Sequence, residues 1–482
     1  MNANHLAGVG AAAASEGRYF ERLDPLTGGV ATRAHAASLD DADAAVSAAA
    51  TAFPAWSARG PSERRLLLLK AADAMEKMRD EFMHTMIAEI GTTDVWSAFN
   101  VELAAGMLRE AAALTTQVGG EVIPSDKPGC IALAVRQAAG VCLGIAPWNA
   151  PIILGVRAVA LPLACGNTVV LKASELCPGT HRLLEELFRK AGFPAGVVNV
   201  VTNAPAEAPA IVERLIANPA VRRVNFTGST RVGRIIAELS GRHLKPALLE
   251  LGGKAPVIVL DDADLDAAVA AVAFGAFINQ GQVCMSTERV IVDAVVADRF
   301  VEKLAAKAAS LTAGDPRSGP AVIGSMVDEA PARCVMDLIE DAIGKGAVRV
   351  AGGERVGTVV PATVLDHIGP TMRIYTEESF GPVVSVIRAD GVEEAIRLAN
   401  DTEYGLAAAV FGRDVARALT VAQRIQSGIC HVNGATVHDE AQMPFGGVKS
   451  SGYGRFGGQA GIAEFTDLRW ITIETGPQRF PF

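Results

Sequence analysis

The alternation of short apolar runs with helical segments is the feature that most restricts the fold of this chain. Apolar runs at residues 141–146, 168–172, 197–201 and 223–226 are each followed by a segment of helical character. Parallel strands need a long crossover connection, which is usually a helix, so this order predicts a parallel sheet covered by helices. We therefore expect an α/β fold of Rossmann type in this part of the chain.

The same alternation begins again after residue 250. Further strand-like runs lie at 255–260, 289–292 and 382–387, and a helix is expected at 267–279. A chain of 482 residues is also too long for a single hydrophobic core. The sequence therefore predicts a second α/β domain.

The first part of the chain favours helices alone. Ser38 opens a capping-box pattern, which predicts a helix from there to about residue 56. Pro61 suits the first turn of a second helix, because its missing N–H has no partner to lose there. Two further helices are expected, at 79–90 and at about 99–117.

Composition and charge exclude several classes of partner. The formal net charge is −9 and Lys and Arg form no run, so nucleic acid and anionic membrane surfaces are not expected partners. No apolar stretch has the length of a membrane span. Residues 1–17 lack a basic beginning and a long apolar run, so we do not expect a signal peptide.

The seven cysteines favour a reducing compartment. Their number is odd and no two are spaced as CxxC, which argues against a disulfide framework and against a zinc site. We therefore expect a cytoplasmic protein without a structural metal. Most of the cysteines lie in apolar surroundings typical of buried side chains, whereas Cys284 is flanked by Gly and Gln residues.

Two segments suggest acyl chemistry through a thioester. Residues 249–254 present Glu250 beside two glycines, and residues 277–284 present Cys284 in a polar turn. A thiol nucleophile and a carboxylate base are the two groups that this chemistry requires. Either segment alone would be modest evidence, and together they form a candidate active site.

These segments and five others follow one another in a family order. The other five are Pro147-Trp148-Asn149, Lys172-Ala173-Ser174-Glu175, Phe226-Thr227-Gly228-Ser229, Glu378-Ser379-Phe380-Gly381-Pro382 and Pro444-Phe445-Gly446-Gly447-Val448-Lys449-Ser450-Ser451-Gly452. On these motifs the chain resembles the NAD(P)-dependent aldehyde dehydrogenase superfamily from about residue 20 to residue 473. Within that superfamily it is most similar to the bacterial benzaldehyde, salicylaldehyde and vanillin dehydrogenases.

The resemblance implies an aldehyde dehydrogenase-like fold with three parts. A Rossmann-type NAD-binding domain would comprise residues 1–118 and 137–248, and an α/β catalytic domain would comprise residues 249–455. A small β segment for oligomerisation would be formed by residues 119–136 and 456–482. The resemblance further implies a homodimer or a homotetramer.

The resemblance also implies three catalytic residues. Cys284 would attack the aldehyde carbon, and the side-chain amide of Asn149 would donate a hydrogen bond to the oxyanion that forms. Glu250 would activate the water that hydrolyses the thioester to a free carboxylic acid. Two structural alternatives stay open: Asn149 as the N-cap of the following helix, and Glu250 in a salt bridge with Lys254.

The cofactor implied by the resemblance is NAD. Glu175 would accept hydrogen bonds from a ribose diol and repel a 2′-phosphate, although the neighbouring Lys172 could tolerate that phosphate. NADP is therefore expected only as a poorer substitute. The alternative for these two residues is a simple ion pair, and Ser229 could simply begin a helix. The expected cofactor-binding residues are Ile145, Pro147, Trp148, Lys172, Ser174, Glu175, Gly228, Ser229, Gly233, Leu251, Glu378 and Phe380.

An aromatic aldehyde is the expected substrate. The positions that line the substrate tunnel in this family hold several of the few aromatic residues of the chain, which suggests a flat apolar slot. Interior packing of Trp96 and Phe99 is the alternative, and Arg157 could meet either a ring hydroxyl or a carboxylate. The expected pocket residues are Trp96, Phe99, Arg157, Phe274, Val283, Met285 and Phe445.

Three other functions remain as alternatives. A dehydrogenase for an aliphatic aldehyde or a semialdehyde would keep the mechanism, and an acidic substrate would need cations at the pocket, of which Arg157 is the clear candidate. A cofactor-independent cysteine hydrolase or esterase would need a histidine partner for the thiol, and no histidine lies in a recognisable motif. A non-catalytic relative would not need Cys284, Glu250 and Asn149 together.

Overall fold

The computed structural model describes residues 17–482. Residues 1–16 lie outside the described part. The prediction that residues 1–17 are not a signal peptide therefore falls almost entirely outside the described residues. In the described residues no helix is both long and apolar enough to cross a membrane.

Strands and helices alternate through most of the described chain, as the sequence predicts. The strands are β1 (Tyr19–Leu23), β2 (Val30–His35), β3 (Gly120–Ile123), β4 (Cys130–Ala138), β5 (Val141–Ile145), β6 (Thr168–Lys172), β7 (Val198–Val201), β8 (Val221–Thr227), β9 (Ala247–Glu250), β10 (Ala255–Val259), β11 (Thr287–Asp293), β12 (Val348–Ala351), β13 (Thr363–Asp366), β14 (Val383–Ala389), β15 (Ala407–Phe411), β16 (Ile429–Val432), β17 (Gly452–Tyr453) and β18 (Thr466–Glu474). The helices are α1 (Leu39–Ser57), α2 (Pro61–Lys77), α3 (Arg79–Ile90), α4 (Asp94–Leu114), α5 (Pro151–Ala164), α6 (Pro178–Lys190), α7 (Ala208–Ala217), α8 (Thr230–Arg242), α9 (Leu265–Phe277), α10 (Ala294–Ala309), α11 (Glu329–Gly344), α12 (Arg373–Thr376), α13 (Val392–Asn400), α14 (Val415–Ala422) and α15 (Gly458–Glu464).

A six-stranded sheet forms the first of two α/β layers. Its strand order is β17-β9-β8-β5-β6-β7, with every neighbouring pair parallel except β17 and β9. The chain runs outward from β5 to β7 and then returns to place β8 on the other side of β5. The strand order therefore reverses between β5 and β8, and in open parallel sheets a ligand crevice forms at such a point.

A seven-stranded sheet forms the second layer, in the order β12-β13-β14-β11-β10-β15-β16. Its pairs are parallel except for β12 with β13 at one edge. Strands β10, β13 and β15 are buried along their whole length, as expected for parallel strands covered by helices on both faces. The two mostly parallel sheets confirm the predicted α/β class.

A small third sheet contains β3, β4 and β18, and all of its pairs are antiparallel. It brings residues 120–138 together with residues 466–474, which are far apart in sequence. β3 and β18 are its two edges. Several large apolar side chains on these strands are exposed: Val122, Ile123, Ile131, Leu468, Trp470 and Ile473.

The helices before residue 115 agree with the sequence except at one boundary. The predicted capping box is present in α1, where Ser38 Oγ accepts from the Asp41 N–H and the Asp41 carboxylate accepts from the Ser38 N–H. α4, however, begins at Asp94 and not near Phe99, because the Thr93 hydroxyl accepts from the Trp96 N–H and caps the helix earlier.

Membership of the six-stranded sheet extends beyond the predicted first domain. Glu250 is the last residue of β9, and β17 returns from much later in the chain to pair Gly452 with Glu250. Two distant segments thus fix the backbone of Glu250. The domain boundaries themselves remain a prediction.

Candidate active site

The loop before Cys284 is held in an unusual backbone conformation. After α9 a 3₁₀ turn contains Asn279 and Gln280 with φ of 48° and 57°, a region that residues other than glycine rarely occupy. Gln280 Nε2 donates to the Ser325 carbonyl at 2.8 Å, and Gln282 Oε1 accepts from the Val327 N–H at 2.9 Å. These bonds stabilise the strained loop and fix the position from which Cys284 projects.

The side chain of Asn149 is directed at the cysteine loop. Its Nδ2 donates to the Gln282 carbonyl at 2.9 Å. The backbone carbonyl of Asn149 accepts from Trp96 Nε1 and from Asn279 Nδ2, each at 3.0 Å. Asn149 does not cap α5, because Ala150 is the N-cap residue and has no side-chain bond. The N-cap alternative for Asn149 is therefore wrong.

Glu250 is buried and only partly hydrogen bonded. One carboxylate oxygen accepts from the Gly447 N–H at 3.2 Å, and the other has no partner. Burial raises the pKa of Glu250 to about 8, against the opposing effects of Arg157, the Gly447 bond and Arg455. Glu250 can therefore hold or release a proton near neutral pH, as a general base should.

The salt bridge proposed as an alternative for Glu250 is absent from the ion pairs of residues 17–482. Lys254 pairs instead with Glu288, and both side chains are buried. The sequence analysis did not single out Glu288. The sequence nevertheless contains a feature that could have indicated it. Glu288 and Arg289 are two charged residues directly before the apolar run Val290-Ile291-Val292 of a buried strand.

Two glycines let the carboxylate segment lie directly against the cysteine segment. A Cβ on Gly253 would overlap the Cys284 carbonyl oxygen, and a Cβ on Gly252 would lie 2.6 Å from a carboxylate oxygen of Glu378. The Gly253 N–H donates to Glu378 at 2.8 Å. The segment that contains Glu250 therefore contacts both the Cys284 segment and Glu378. It can do so because positions 252 and 253 have no side chain.

The Cys284 thiol is held in its neutral form. Burial raises its pKa, and the nearby carboxylates of Glu250 and Glu378 raise it further. A thiolate is the reactive nucleophile, so attack on a substrate requires a proton acceptor. The carboxylate of Glu250, whose own pKa is raised, can serve as this proton acceptor.

The expected cofactor residues gather around the carboxyl ends of the six-stranded sheet. Those on the strands or just after them are Ile145, Pro147, Trp148, Lys172, Ser174, Glu175, Gly228, Ser229 and Leu251. Gly233, in α8, packs so closely on the Leu251 side chain that a Cβ would overlap it. Glu378 contacts Gly253, and Phe380 lies edge-to-face on Trp148 with 5.7 Å between ring centroids.

Two features of this edge suit a dinucleotide. Lys172 and Glu175 form the ion pair that the sequence offered as the alternative to a cofactor role, and Asn203 Nδ2 also donates to Glu175 at 2.9 Å. The Lys172 side chain is buried, so the pair belongs to the crevice and not to the open surface. Ser229 caps α8 by accepting from the Val232 N–H, which leaves the first turn of a helix pointing at the crevice.

A cavity of about 400 Å³ opens beside Cys284 and Asn149. The seven expected pocket residues all line it, together with Val95, Ala150, Ile153, Leu154, Ile278, Val437, His438 and Asp439. Trp96 and Phe99 contact each other, with ring centroids 5.5 Å apart. Four aromatic rings and many aliphatic groups give the cavity a largely apolar wall.

Arg157 is neutralised within the wall of this cavity. It forms a buried ion pair with Asp439, and its guanidinium lies 4.1 Å from the centroid of the Phe445 ring. The sequence analysis left its partner open between a substrate hydroxyl and a carboxylate, and the structure supplies the carboxylate. Asp439 itself was missed, because nothing in the sequence relates positions so far apart.

Among the described residues no group of three or more His, Cys, Asp and Glu side chains could hold a metal ion. The seven cysteines, all within that part of the chain, are free.

Comparisons with known proteins identify relatives of this chain. The sequence model of the aldehyde dehydrogenase family matches residues 12–471. A vanillin dehydrogenase of Pseudomonas sp. (strain HR199 / DSM 7063) is 64% identical, with 97% of each chain aligned.

Solved structures support the predicted aldehyde dehydrogenase-like fold. A salicylaldehyde dehydrogenase from Pseudomonas putida G7, crystallised with salicylaldehyde, superposes with a TM-score of 0.96 at 51% identity and covers 97% of both chains. PnpE in complex with nicotinamide adenine dinucleotide superposes with a TM-score of 0.92 at 37% identity over 96% of both chains.

The raised pKa of Glu250 predicts a pH-dependent stability effect. The folded chain keeps the proton up to about pH 8, whereas the unfolded chain loses it near pH 4.5, so this group lowers stability as pH rises between those values. Glu250→Gln should therefore raise the melting temperature by about 3 °C or more at pH 9 and much less at pH 5. Thermal unfolding followed by circular dichroism measures both.

The matched control is Glu238→Gln, which removes an exposed carboxylate from α8. Its melting temperature should follow that of the parent at both pH values. A Glu250→Gln gain that is the same at pH 5 and pH 9 would contradict the assignment of a raised pKa.

Proposed function

The chain belongs to the aldehyde dehydrogenase family, and we propose that it oxidises an aromatic aldehyde to the carboxylic acid with NAD as the hydride acceptor. The family makes it an oxidoreductase that acts on aldehydes. The observation that most supports the aromatic substrate is that Cys284 and Asn149 open onto a cavity walled by aromatic rings. Vanillin, benzaldehyde and salicylaldehyde are the type of substrate proposed.

The crevice between β5 and β8 has the groups that a dinucleotide needs. Glu175 and Lys172 would meet the adenosine ribose, and the first turn of α8 at Ser229 would meet the pyrophosphate. Glu378 and Phe380 would hold the nicotinamide ribose and ring. Gly228, in the turn before α8, lies directly against the Phe226 ring, which a Cβ at this position would overlap.

The first half of the proposed reaction forms a thioester on Cys284. As the sulfur attacks the aldehyde carbon, its proton passes to the Glu250 carboxylate, directly or through water. The amide of Asn149 and the backbone N–H of Cys284 donate to the oxyanion. When bound, the nicotinamide supplies the hydride acceptor.

The second half releases the acid. Glu250 first releases to solvent the proton that it took from the thiol. It then takes a proton from a water molecule, whose oxygen attacks the thioester carbon. The C–S bond breaks, and this second proton passes from Glu250 to the Cys284 sulfur. The net change consumes the aldehyde, water and oxidised dinucleotide, and yields the acid, reduced dinucleotide and a proton. The unpartnered carboxylate oxygen of Glu250 is free to accept a hydrogen bond from that water.

The lining of the cavity disfavours an acidic semialdehyde. Such a substrate would need an unpaired cation at the far end of the pocket. Arg157, the candidate from the sequence, is already paired with Asp439. The remaining wall is mostly apolar and suits a flat ring with few polar substituents.

A cysteine hydrolase remains the alternative from a different class. His438 lines the same cavity as Cys284, but its ring bonds to Glu440 at 2.9 Å. The histidine that does contact a thiol is His181, beside Cys177, 3.8 Å from its sulfur. A hydrolase would also leave the Lys172–Glu175 and Glu378 groups without a purpose.

We further propose NAD over NADP, and a reducing compartment. The Glu175 carboxylate, held by Lys172 and Asn203, would accept from a ribose diol and would repel a phosphate at the same place. The pairing of Lys172 with Glu175 leaves less positive charge for that phosphate than the sequence suggested. The free cysteines favour a reducing environment such as the cytoplasm.

An aldehyde panel tests the proposed function. Purified protein with NAD and vanillin, benzaldehyde, salicylaldehyde, hexanal or succinic semialdehyde should form NADH, fastest with the aromatic members. Cys284→Ala should form none, because no thioester can be made. The absorbance of NADH at its characteristic wavelength gives the rate.

The outcomes separate the alternatives. Turnover of hexanal or succinic semialdehyde alone would keep the mechanism and refute the aromatic substrate. Ester hydrolysis without NAD, together with no NADH from any aldehyde, would favour the hydrolase.

Trp96 provides a test of the pocket. Trp96→Ala should raise KM for aromatic aldehydes about tenfold and for hexanal by less than about threefold, because it removes an apolar face from the cavity. Trp96→Phe is the matched control. It keeps a ring but loses the N–H that bonds the Asn149 carbonyl, so kcat should fall while the ratio of the two KM values changes little.

Steady-state kinetics with both substrates give these values. Equal KM increases for the aromatic and aliphatic aldehydes in Trp96→Ala would refute the aromatic slot.

We also propose a homo-oligomer in which a second copy covers the three-stranded sheet. Leu468, Trp470 and Ile473 on β18 and Val122 on β3 are exposed apolar side chains on edge strands, which ordinarily need cover. Light scattering should give at least twice the mass of one chain. Trp470→Glu should shift this towards one chain, whereas Val415→Glu, at an exposed site on α14, should not.

A single-chain mass for the parent protein at micromolar concentration would refute the oligomer.

A further inference from the structure

Glu288 is a buried carboxylate to which the proposed reaction gives no step. It is the second residue of β11, four positions after Cys284. Only 3% of it is exposed. A buried charge is costly unless it is paired and hydrogen bonded, so its partners indicate what it holds in place.

The partners of Glu288 all come from two other segments of the site. One carboxylate oxygen accepts from the N–H groups of Ser379 and Phe380, at 3.0 and 3.2 Å. The other accepts from the Ser379 N–H at 2.9 Å and from the Ser379 hydroxyl at 2.8 Å, and it pairs with the Lys254 ammonium. Both oxygens are therefore satisfied by groups outside β11.

The segment that Glu288 holds is under backbone strain. Phe380 has a φ of 45°, which is rare for a residue with a side chain and more so for a bulky one. The Glu288 carboxylate accepts hydrogen bonds from the N–H of Phe380 and from that of Ser379. Hydrogen bonds to a charged acceptor are stronger than those to a neutral one, so they can keep this conformation in place.

The strained segment presents the two groups proposed to meet the nicotinamide end of the cofactor. Glu378 is fixed by the Gly253 N–H, and the Phe380 ring lies against Trp148. Lys254, the other partner of Glu288, follows Gly253 directly. Glu288 thus connects both sides of the same small region.

We propose that Glu288 is the positioning residue for the nicotinamide end of the dinucleotide site, acting through Ser379, Phe380 and Lys254. Its carboxylate touches neither substrate nor cofactor. It holds the backbone from which Glu378 and Phe380 reach them. This inference rests on the proposed NAD-dependent function.

Glu288→Gln in the full-length protein is the principal test. The amide has one acceptor oxygen, and its NH2 group would face the Ser379 N–H and the Lys254 ammonium. We expect the Kd for NAD, measured by isothermal titration calorimetry without aldehyde, to rise at least about tenfold. KM for NAD should rise in parallel, while KM for the aldehyde stays within about twofold of the parent.

A second readout separates this role from general loosening of the site. The rate at which iodoacetamide alkylates Cys284 without NAD reports mainly on the cysteine loop, which Gln280 and Gln282 hold through Ser325 and Val327. It should stay within about twofold of the parent rate in Glu288→Gln.

Two further variants make the test complete. Ser379→Ala removes one donor to Glu288 and leaves the ion pair with Lys254, so it should fold and raise the Kd for NAD about threefold. Asp366→Asn is the matched control, because Asp366 is a buried carboxylate of the same sheet. The partners of Asp366 are the His367 N–H and Arg388, and neither belongs to a segment that Glu288 contacts. The Kd of the Asp366→Asn variant for NAD should therefore be unchanged.

The results distinguish this inference from the function on which it rests. If the parent protein binds no NAD, the proposed cofactor fails and the inference fails with it. If the parent binds NAD and folded Glu288→Gln binds it within twofold, the positioning role is refuted and the function stands. Equal losses of NAD affinity, aldehyde affinity and alkylation rate in Glu288→Gln would also refute the positioning role. If Glu288→Gln does not fold, an unchanged Kd for NAD in Ser379→Ala would refute it instead.

Discussion

The buried ion pair between Lys254 and Glu288 joins the three segments on which the site depends. Lys254 ends the first segment, residues 249–254, which contains Glu250. Glu288 follows the second segment, residues 277–284, which ends at Cys284. Ser379 belongs to the third segment, residues 378–380. A buried pair of this kind is weak evidence for stability in itself, but removing one partner typically costs about 3–5 kcal/mol because the other charge is left unpaired. Loss of either partner is therefore expected to destabilise the contact between these segments.

The charge balance of the site follows from the same arrangement. Glu378 lies close to Glu288, Glu250 and Glu378 both lie near the Cys284 thiol, and Lys254 is committed to Glu288. Burial and the charge of Glu288 raise the pKa of Glu378 to about 8, and burial raises that of Glu250 to a similar value. The carboxyl groups of Glu250 and Glu378 can therefore change protonation state near neutral pH.

Much of the fold could be predicted from the sequence, whereas several contacts of the site could not. The alternation of strands and helices predicted the parallel sheets, because burial on both faces leaves a local apolar pattern. The order of the motifs indicated Cys284, Glu250 and Asn149. The pairing of β17 with β9, and of Arg157 with Asp439, joins residues roughly 200 or more positions apart and has no local pattern, so it needed the structure.

The indole of Trp96 has a consequence for how relatives of this chain can diverge. Val95 and Phe274 line the cavity with exposed apolar side chains that form no hydrogen bond, so evolution can exchange them to alter substrate range while turnover is kept. Trp96 differs, since its N–H also bonds the Asn149 carbonyl. A lineage that replaces this residue changes selectivity and rate together, and the position should therefore be among the slowest in the wall to drift.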